Sequence, residues 1–423
     1  MKQMEIKDLA DLYGEELDMK SIVKMRGSPR ARAIAKRFAL DENDGNILEE
    51  HDQFYRDHKL LLILFRWMGV MPVERTIGRI TFSWTSKPML YAYGFYVITT
   101  VIVVLVGYER LDILLNKSRK FDEYIYAIIF IVFLTPHFFI PFVGWSVAHQ
   151  VCDYKNSWGK FQLNYYKITG RDLEFPYLST LIGTISLGCL FLAVSFLLSL
   201  STLLEGFELH HTIGYLHIVT MINMNCALWY INCRAIGNAS NGVAESLRKD
   251  IDNYCVAYII KHYRVLWLEL SEMLQKLGNA YARTYSVYCI LMMTNIIISF
   301  YGFTSEVVDH GVKFTFKEMG LLVDAIYCLT LLFIFCDCSH KASANIAERV
   351  QWTLMEINLK QVDEGTIKEI EMFLQAIHLN PPKVSLQGYT VVNRELIASI
   401  MGTITIYLIV LLQFKISLVN LRS

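Results

Sequence analysis

Runs of about twenty apolar residues punctuate the chain, and no other feature constrains its fold as strongly. Each helical residue advances about 1.5 Å, so about 20 of them cross the roughly 30 Å of hydrocarbon in a bilayer. No water in that layer can satisfy a free N–H or C=O, so such a run crosses as a helix. Seven segments qualify: 88–106, 124–148, 177–204, 212–231, 285–304, 319–335 and 397–412, the last continuing through Gln413 and Phe414. The second contains Pro136 and Pro141, and the third is the strongest. Composition agrees, with 54% apolar and 19% charged residues among 423, against about 45–50% and about 25% in soluble domains. The predicted fold class is an all-α membrane protein with seven transmembrane helices.

Loop charge orients those segments, because Lys and Arg accumulate on the cytoplasmic side. The region before the first segment is rich in both, from Lys20, Lys24 and Arg26 through Arg75, Arg79 and Lys87, whereas 177–233 holds neither. The N-terminus is therefore expected in the cytoplasm and the C-terminus outside. Alternation puts 234–283 inside, with Arg248, Lys249, Lys261, Arg264 and Lys276, and also 341–394. Asn116-Lys117-Ser118 then falls in the first outer loop, where Asn116 is expected to be glycosylated, and Asn238-Ala239-Ser240 falls inside. None of the nine cysteines, Cys255 among them, lies in an outer loop, so all are expected to be reduced core residues. Forty basic against forty acidic residues leave no global field to recruit nucleic acid. The first twenty residues have no apolar core, so no cleaved signal peptide is expected.

The inner segments repeat apolar residues at helical spacing. In 254–283 these include Val265, Leu268, Met273 and Leu277; after the sixth segment come Ile346, Val350, Leu354 and Ile357; a third stretch spans 365–379. They are expected to extend the spans into a cytoplasmic anchor bundle, the alternative being helices lying on the membrane surface. The expected organisation is a cytoplasmic N-terminal region 1–87, a six-span region 88–335 that includes the long inner helix, anchor helices 336–390, and a last span with a short outer tail, 391–423.

Enzyme chemistry has no foothold. A glycine-rich phosphate loop, HExxH and a Gly-x-Ser-x-Gly elbow are all missing. His210-His211 and Cys336-Asp337-Cys338 have metal-binding residue types but no second ligand pair at useful spacing, so neither a metal nor a cofactor is expected. Seven spans suggest a G-protein-coupled receptor, yet the orientation is inverted, and Asn380-Pro381 lacks a tyrosine in the fifth place.

Polar groups at membrane depth are rare and usually functional. His137, Asn223 and Asn295 lie near the middle of their spans, and His217 and Asp324 lie one or two turns in from the outer ends. With Tyr301 and Tyr327 they are candidates for an aromatic ligand pocket in the outer half. For each residue taken singly, the alternative is a bond to a neighbouring helix.

The last segment is small and polar in its first half (Ala398, Ser399, Gly402, Thr403, Thr405) and apolar in its second, ending on Gln413 and Phe414. At about 100° per residue Tyr407 and Phe414 share a face, with Gln413 about a third of a turn away. An amide beside apolar side chains suits a weakly selective pore with a dewetting gate; the alternative is an ordinary packing helix with small residues at its contacts.

That segment resembles the signature of the insect gustatory receptor family: Tyr407, five apolar residues from Leu408 to Leu412, then Gln413-Phe414. It departs at Ile406, where the family usually has threonine, with Thr405 one step earlier. Length, span number, long inner helices and Gly388-Tyr389 ahead of the last span also fit, so the likeness covers essentially the whole chain. The block that begins at Arg56 and runs past Tyr108 looks most like the family's carbon dioxide receptor clade. The resemblance implies a plasma-membrane, sensory-neuron, ligand-gated cation channel of four like or related subunits. It puts Gln413 and Phe414 at the gate, Tyr407 in support beside Thr405, and a ligand pocket in each subunit. The expected ligand is carbon dioxide or dissolved bicarbonate, with a sugar or bitter tastant as the alternative. From another class, a secondary transporter would show internal repeats, and none is visible.

Overall fold

The computed structural model describes residues 37, 40–41, 44–115, 121–203, 207–253, 256–310, 316–386 and 388–420. Asn116, Cys255 and most of the first half of region 1–87 lie outside these residues. The chain is nearly all helix: α1 (Gly45–His51), α2 (Gln53–Trp67), α3 (Lys87–Leu115), α4 (Phe121–Ser146), α5 (Ala148–Thr169), α6 (Leu178–Leu203), α7 (Leu209–Asn253), α8 (Ala257–His310), α9 (Phe316–Met355), α10 (Glu364–Leu379) and α11 (Arg394–Asn420). Two antiparallel hairpins interrupt it, β1 (Glu74–Thr76) with β2 (Arg79–Thr81), and β3 (Ser385–Leu386) with β4 (Thr390–Val391).

Each of the seven expected segments is helical over most of its length; the second, expected to reach 148, ends with α4 at Ser146, and Val147 separates it from α5. Among the described residues six helices, α3, α4, α6, α8, α9 and α11, are long and apolar enough to cross a membrane. The fourth segment lies in α7, where His217, Asn223 and Asn225 dilute the hydropathy of an otherwise apolar face. The inner stretches are direct continuations of the spans: 257–283, the described helical part of 254–283, joins the fifth in the 54-residue α8, and Ile346, Val350 and Leu354 continue the sixth along the 40-residue α9. The organisational boundary expected at 335/336 therefore falls inside one unbroken helix. Once a helix is nucleated, each added residue gains a bond at small entropic loss, and no proline interrupts either stretch.

α8 is the central mast and packs on α4, α5, α7, α9, α10 and α11. Buried tryptophans tie its neighbours together. Trp229 Nε1 of α7 donates to the Phe335 carbonyl (3.1 Å) and to Ser339 Oγ (2.8 Å) of α9, and Trp267 Nε1 of α8 donates to the Ile346 carbonyl (2.8 Å). Arg264 of α8 pairs with buried Glu369 of α10 at 3.2 Å. At the same end α1, α2 and the first hairpin pack on α5, and sequence reasoning assigned none of these short elements. Their turn needs Gly69 (φ 69°), whose carbonyl accepts from Trp145 Nε1 at 2.9 Å.

A polar knot lies in this base. Lys155 of α5 is buried, and its Nζ donates to Asn232 Oδ1 (3.1 Å), which also accepts from Tyr154 (3.1 Å). Nζ sits 4.6 Å from the Phe54 ring centre. Burial lowers the Lys155 ammonium to about 7, opposed by the Asp52 carboxylate. Asp52 is itself pushed up by burial, against the bonds it accepts from Tyr55 and Gln162.

α11 stands apart. Only 6% of its apolar window is buried, against 50% for α4. A single stripe of Ile404, Leu408, Leu411, Leu412 and Lys415 leans on the chain; Ile406, Tyr407, Ile409, Val410, Gln413 and Phe414 are exposed. Its foot is held by Arg394, whose Nη2 lies 2.6 Å from Asp337 of α9.

Candidate ligand cavity and pore helix

The outer end of α6 and the outer starts of α4, α7 and α9 enclose a cavity of about 300 Å³. Helix α4 offers Tyr126, Phe130 and Phe133 at positions i, i+4 and i+7, one face of one helix. Phe196, Leu197 and Leu200 of α6, Tyr215 and Val219 of α7, and Met319 to Leu321 of α9 complete the apolar wall. Among the described lining residues Asp324 is the one carboxylate, and none is Lys or Arg. Ser299 Oγ of α8 donates to Asp324 at 2.5 Å, and Tyr215 donates to the Phe130 carbonyl at 3.1 Å, so the polar groups in the wall are held rather than loose.

Of the seven pocket residues expected from sequence, Asp324 lines this cavity. His137 and His217 form a separate chain between α3, α4 and α7. One hydrogen assignment satisfies it: His217 Nε2 donates to His137 Nδ1 (3.1 Å), His137 Nε2 donates to Thr100 Oγ1 (2.9 Å), and Thr100 donates to the Tyr96 carbonyl (2.7 Å). The Tyr96 ring stacks on His137 with centres 4.9 Å apart. Tyr327 donates to Asn223 Oδ1 at 2.9 Å, tying α9 to α7. Asn295 is buried on α8 and Tyr301 half-buried on the same helix, outside the cavity wall. Sequence reasoning missed the aromatic wall, because Phe and Tyr in a span read as ordinary packing. The i, i+4, i+7 spacing of Tyr126, Phe130 and Phe133 was the available signal.

On α11 the side chains of Thr405, Tyr407, Gln413 and Phe414 are all exposed in the single chain, Tyr407 at 54% and Phe414 at 66%. Thr405 Oγ1 donates to the Met401 carbonyl at 2.8 Å, so its hydroxyl closes on its own helix. Lys415 turns the other way and donates to the Ser305 carbonyl of α8 at 2.7 Å, which fixes the rotation of α11.

This bundle, with one peripheral last helix and an outer cavity, is the fold of an insect chemosensory receptor. The olfactory receptor OR5 from Machilis hrabei is similar over 86% of this chain and 100% of its own, with a TM-score of 0.56 at 12% identity. The model of the 7tm chemosensory receptor family matches residues 58–418. Gustatory and odorant receptor 22 of Anopheles gambiae is 42% identical over 89% of this chain and 82% of its own. Gustatory and odorant receptor 21a of Drosophila melanogaster is 41% identical over 88% and 82%. The chain belongs to the 7tm chemosensory receptor family, the insect gustatory and odorant receptors. It is a multi-pass membrane protein whose relatives are receptors and not enzymes.

Proposed function

We propose that the chain is a subunit of a ligand-gated cation channel in the plasma membrane of a sensory neuron, opened by carbon dioxide. The observation that carries the channel reading is the uncovered face of α11. Ile406, Tyr407, Ile409, Val410 and Phe414 leave a large apolar stripe unpartnered, and patches of that extent mark lipid or subunit contacts. Gln413 is a polar group that lipid would penalise, which favours other subunits around a water path. Four chains in a ring, identical or related, would put Gln413 and Phe414 at the constriction, with Tyr407 against the neighbouring subunit.

The cavity limits the ligand class. Its apolar, aromatic wall suits a small uncharged molecule. Among the described lining residues bicarbonate would meet Asp324 and no cation, which favours dissolved gas. A sugar would leave most of its hydroxyls without partners against this wall. Carbon dioxide itself rests on the sequence likeness to the carbon dioxide receptor clade, and an apolar volatile of about ten heavy atoms is the second reading that a cavity of about 300 Å³ favours.

The test records membrane current from cells carrying this chain alone, and then with related family members, while dissolved carbon dioxide is stepped at clamped pH. A gated cation current is expected, and Phe414→Ala is expected to raise the resting current. Silence to the gas together with current to sugars or bitter compounds removes the carbon dioxide reading and keeps the channel. An unchanged resting current and ligand response in Phe414→Ala removes the gate assignment.

A further inference from the structure

Two stretches about a hundred residues apart meet at the outer end of the bundle. Glu109, near the end of α3, puts Oε2 at 3.1 Å from His210 Nε2 and at 2.6 Å from His211 Nε2, at the start of α7. The three side chains can offer one ligand atom each, all within 4.8 Å of one another. Glu208 Oε2 stands 3.3 Å from the other nitrogen of His210. Glu109 and His210 are half exposed and open to solution, whereas His211 is 4% exposed and held in place.

We propose that Glu109, His210 and His211 form a site for a divalent transition metal of the zinc class, which fastens the outer end of α3 to the start of α7. Two imidazole nitrogens and one carboxylate oxygen, with a fourth position left to water, are a ligand set that zinc accepts at about 2.0–2.2 Å per bond. Tetrahedral geometry at those lengths separates ligand atoms by about 3.3 Å. The present 2.6 and 3.1 Å contacts share hydrogens and open by about 0.7 and about 0.2 Å when an ion replaces them. Calcium, which needs six to eight oxygens, finds too few. Glu208 then accepts from His210 Nδ1 and aims that ring.

His211 sets the proton arithmetic. Its Nδ1 accepts the Glu208 N–H at 2.8 Å and closes the first turn of α7, so its hydrogen lies on Nε2, towards Glu109. Metal at Nε2 moves that hydrogen to Nδ1: one proton leaves to water and one returns, with no net release. The Glu208 N–H then loses its acceptor and faces the new Nδ1–H, so metal binding requires the first turn of α7 to shift until both donors reach other acceptors or water. The neighbouring cation does not oppose the metal strongly. Arg110 lies over the Phe130 and Phe207 rings at 4.9 and 5.4 Å, and the two glutamates outnumber it.

The location gives the metal a consequence. Phe207 packs on Phe130 and Tyr215, both part of the cavity wall, and on the His211 ring. An ion joining α3 to α7 therefore stiffens the roof of the cavity from the outside. Sequence reasoning expected no metal because it sought the missing ligand nearby; the fold brings Glu109 from the end of the first span.

The test uses the full-length receptor purified in detergent, titrated with Zn²⁺ by calorimetry and with Co²⁺ by visible absorption. One ion per chain, tetrahedral cobalt bands and a metal-dependent rise in melting temperature are expected. Glu109→Gln and His210→Ala, both at exposed positions, are each expected to weaken binding about tenfold or more and to abolish the rise, while melting as wild type without metal. Binding that both variants leave unchanged, or no stoichiometric binding to wild type, overturns the site. The readouts need no ligand and no channel activity.

Discussion

Lys155→Met is expected to stabilise the inner base and to remove part of its pH dependence. Lowering the Lys155 ammonium from 10.5 to about 7 corresponds, at 1.36 kcal/mol per tenfold change in proton affinity, to about 5 kcal/mol against the charged form. The sign follows from proton counts. Below pH 7 both folded and unfolded chains carry the proton, and the full cost of a buried charge weighs on the fold. Between pH 7 and 10.5 the unfolded chain binds more protons, so stability rises with pH. From pH 7 to 9 the rise attributable to Lys155 integrates to about 2 kcal/mol. Other titrating groups in the knot stay out of that window. His58 is held well below its usual range by burial, with the Lys155 charge adding to the effect, and Asp52 starts from the carboxylate range. Methionine keeps the length and the packing on Phe54, and Tyr154 still donates to Asn232. The assay is apparent melting of purified receptor in detergent at pH 7, 8 and 9, wild type against variant. A variant that melts lower than wild type at pH 7, or that keeps the wild-type slope, refutes the reasoning.

Three further outcomes follow from other parts of the fold. Trp229→Phe removes the indole N–H shared by Phe335 and Ser339, and is expected to cost about 1–2 kcal/mol in denaturant titration; no loss would mean that α7 and α9 are joined by packing alone. Val219→Phe projects a ring into the cavity, so the half-maximal ligand concentration should rise about tenfold or more with surface expression intact. Arg394→Met breaks a partly exposed ion pair with Asp337 and is expected to change stability by less than about 1 kcal/mol, while shifting channel opening, read as resting current.

The spans were legible because burial in lipid imposes a length and a composition that a single sequence displays. Their ends were not. Where α8 leaves the membrane, its apolar residues change partner from lipid to protein without changing spacing, so Tyr285 and Leu277 read alike although one lies in a span and the other in the base. The hairpin 74–81 is three residues a side and too short for a period to register. The site was legible only in its expensive members. Asp324 was found because a carboxylate in a span is costly, whereas Phe130 and Phe133 cost nothing there and carried no flag. His137, His217, Asn223 and Tyr327 were flagged for the same reason as Asp324, yet they satisfy one another or Thr100 across helices. A cost in lipid therefore identifies polar groups that need a partner, and only contacts between helices tell a ligand partner from a protein one.

Helix α9 is the element through which cavity and last helix can be coupled. It carries Met319, Leu321, Val323 and Asp324 in the cavity wall, Tyr327 against Asn223, Phe335 and Ser339 against Trp229, and Asp337 against the foot of α11. Its 40 residues form one helix about 60 Å long, and a continuous helix with interlocked side chains transmits displacement better than a jointed one. A ligand shifts this element only if it binds one of its positions better than another. The hypothesis is that occupancy moves the outer end of α9 and the Asp337–Arg394 pair carries the motion to α11. A double-mutant cycle on channel opening, with Val323→Ala at the cavity and Arg394→Met at the foot, reads that coupling directly. An interaction energy of about 0.5 kcal/mol or more is expected. Strict additivity would mean that α9 is scaffold and that the signal reaches α11 through its other neighbour, α8, where Lys415 meets Ser305.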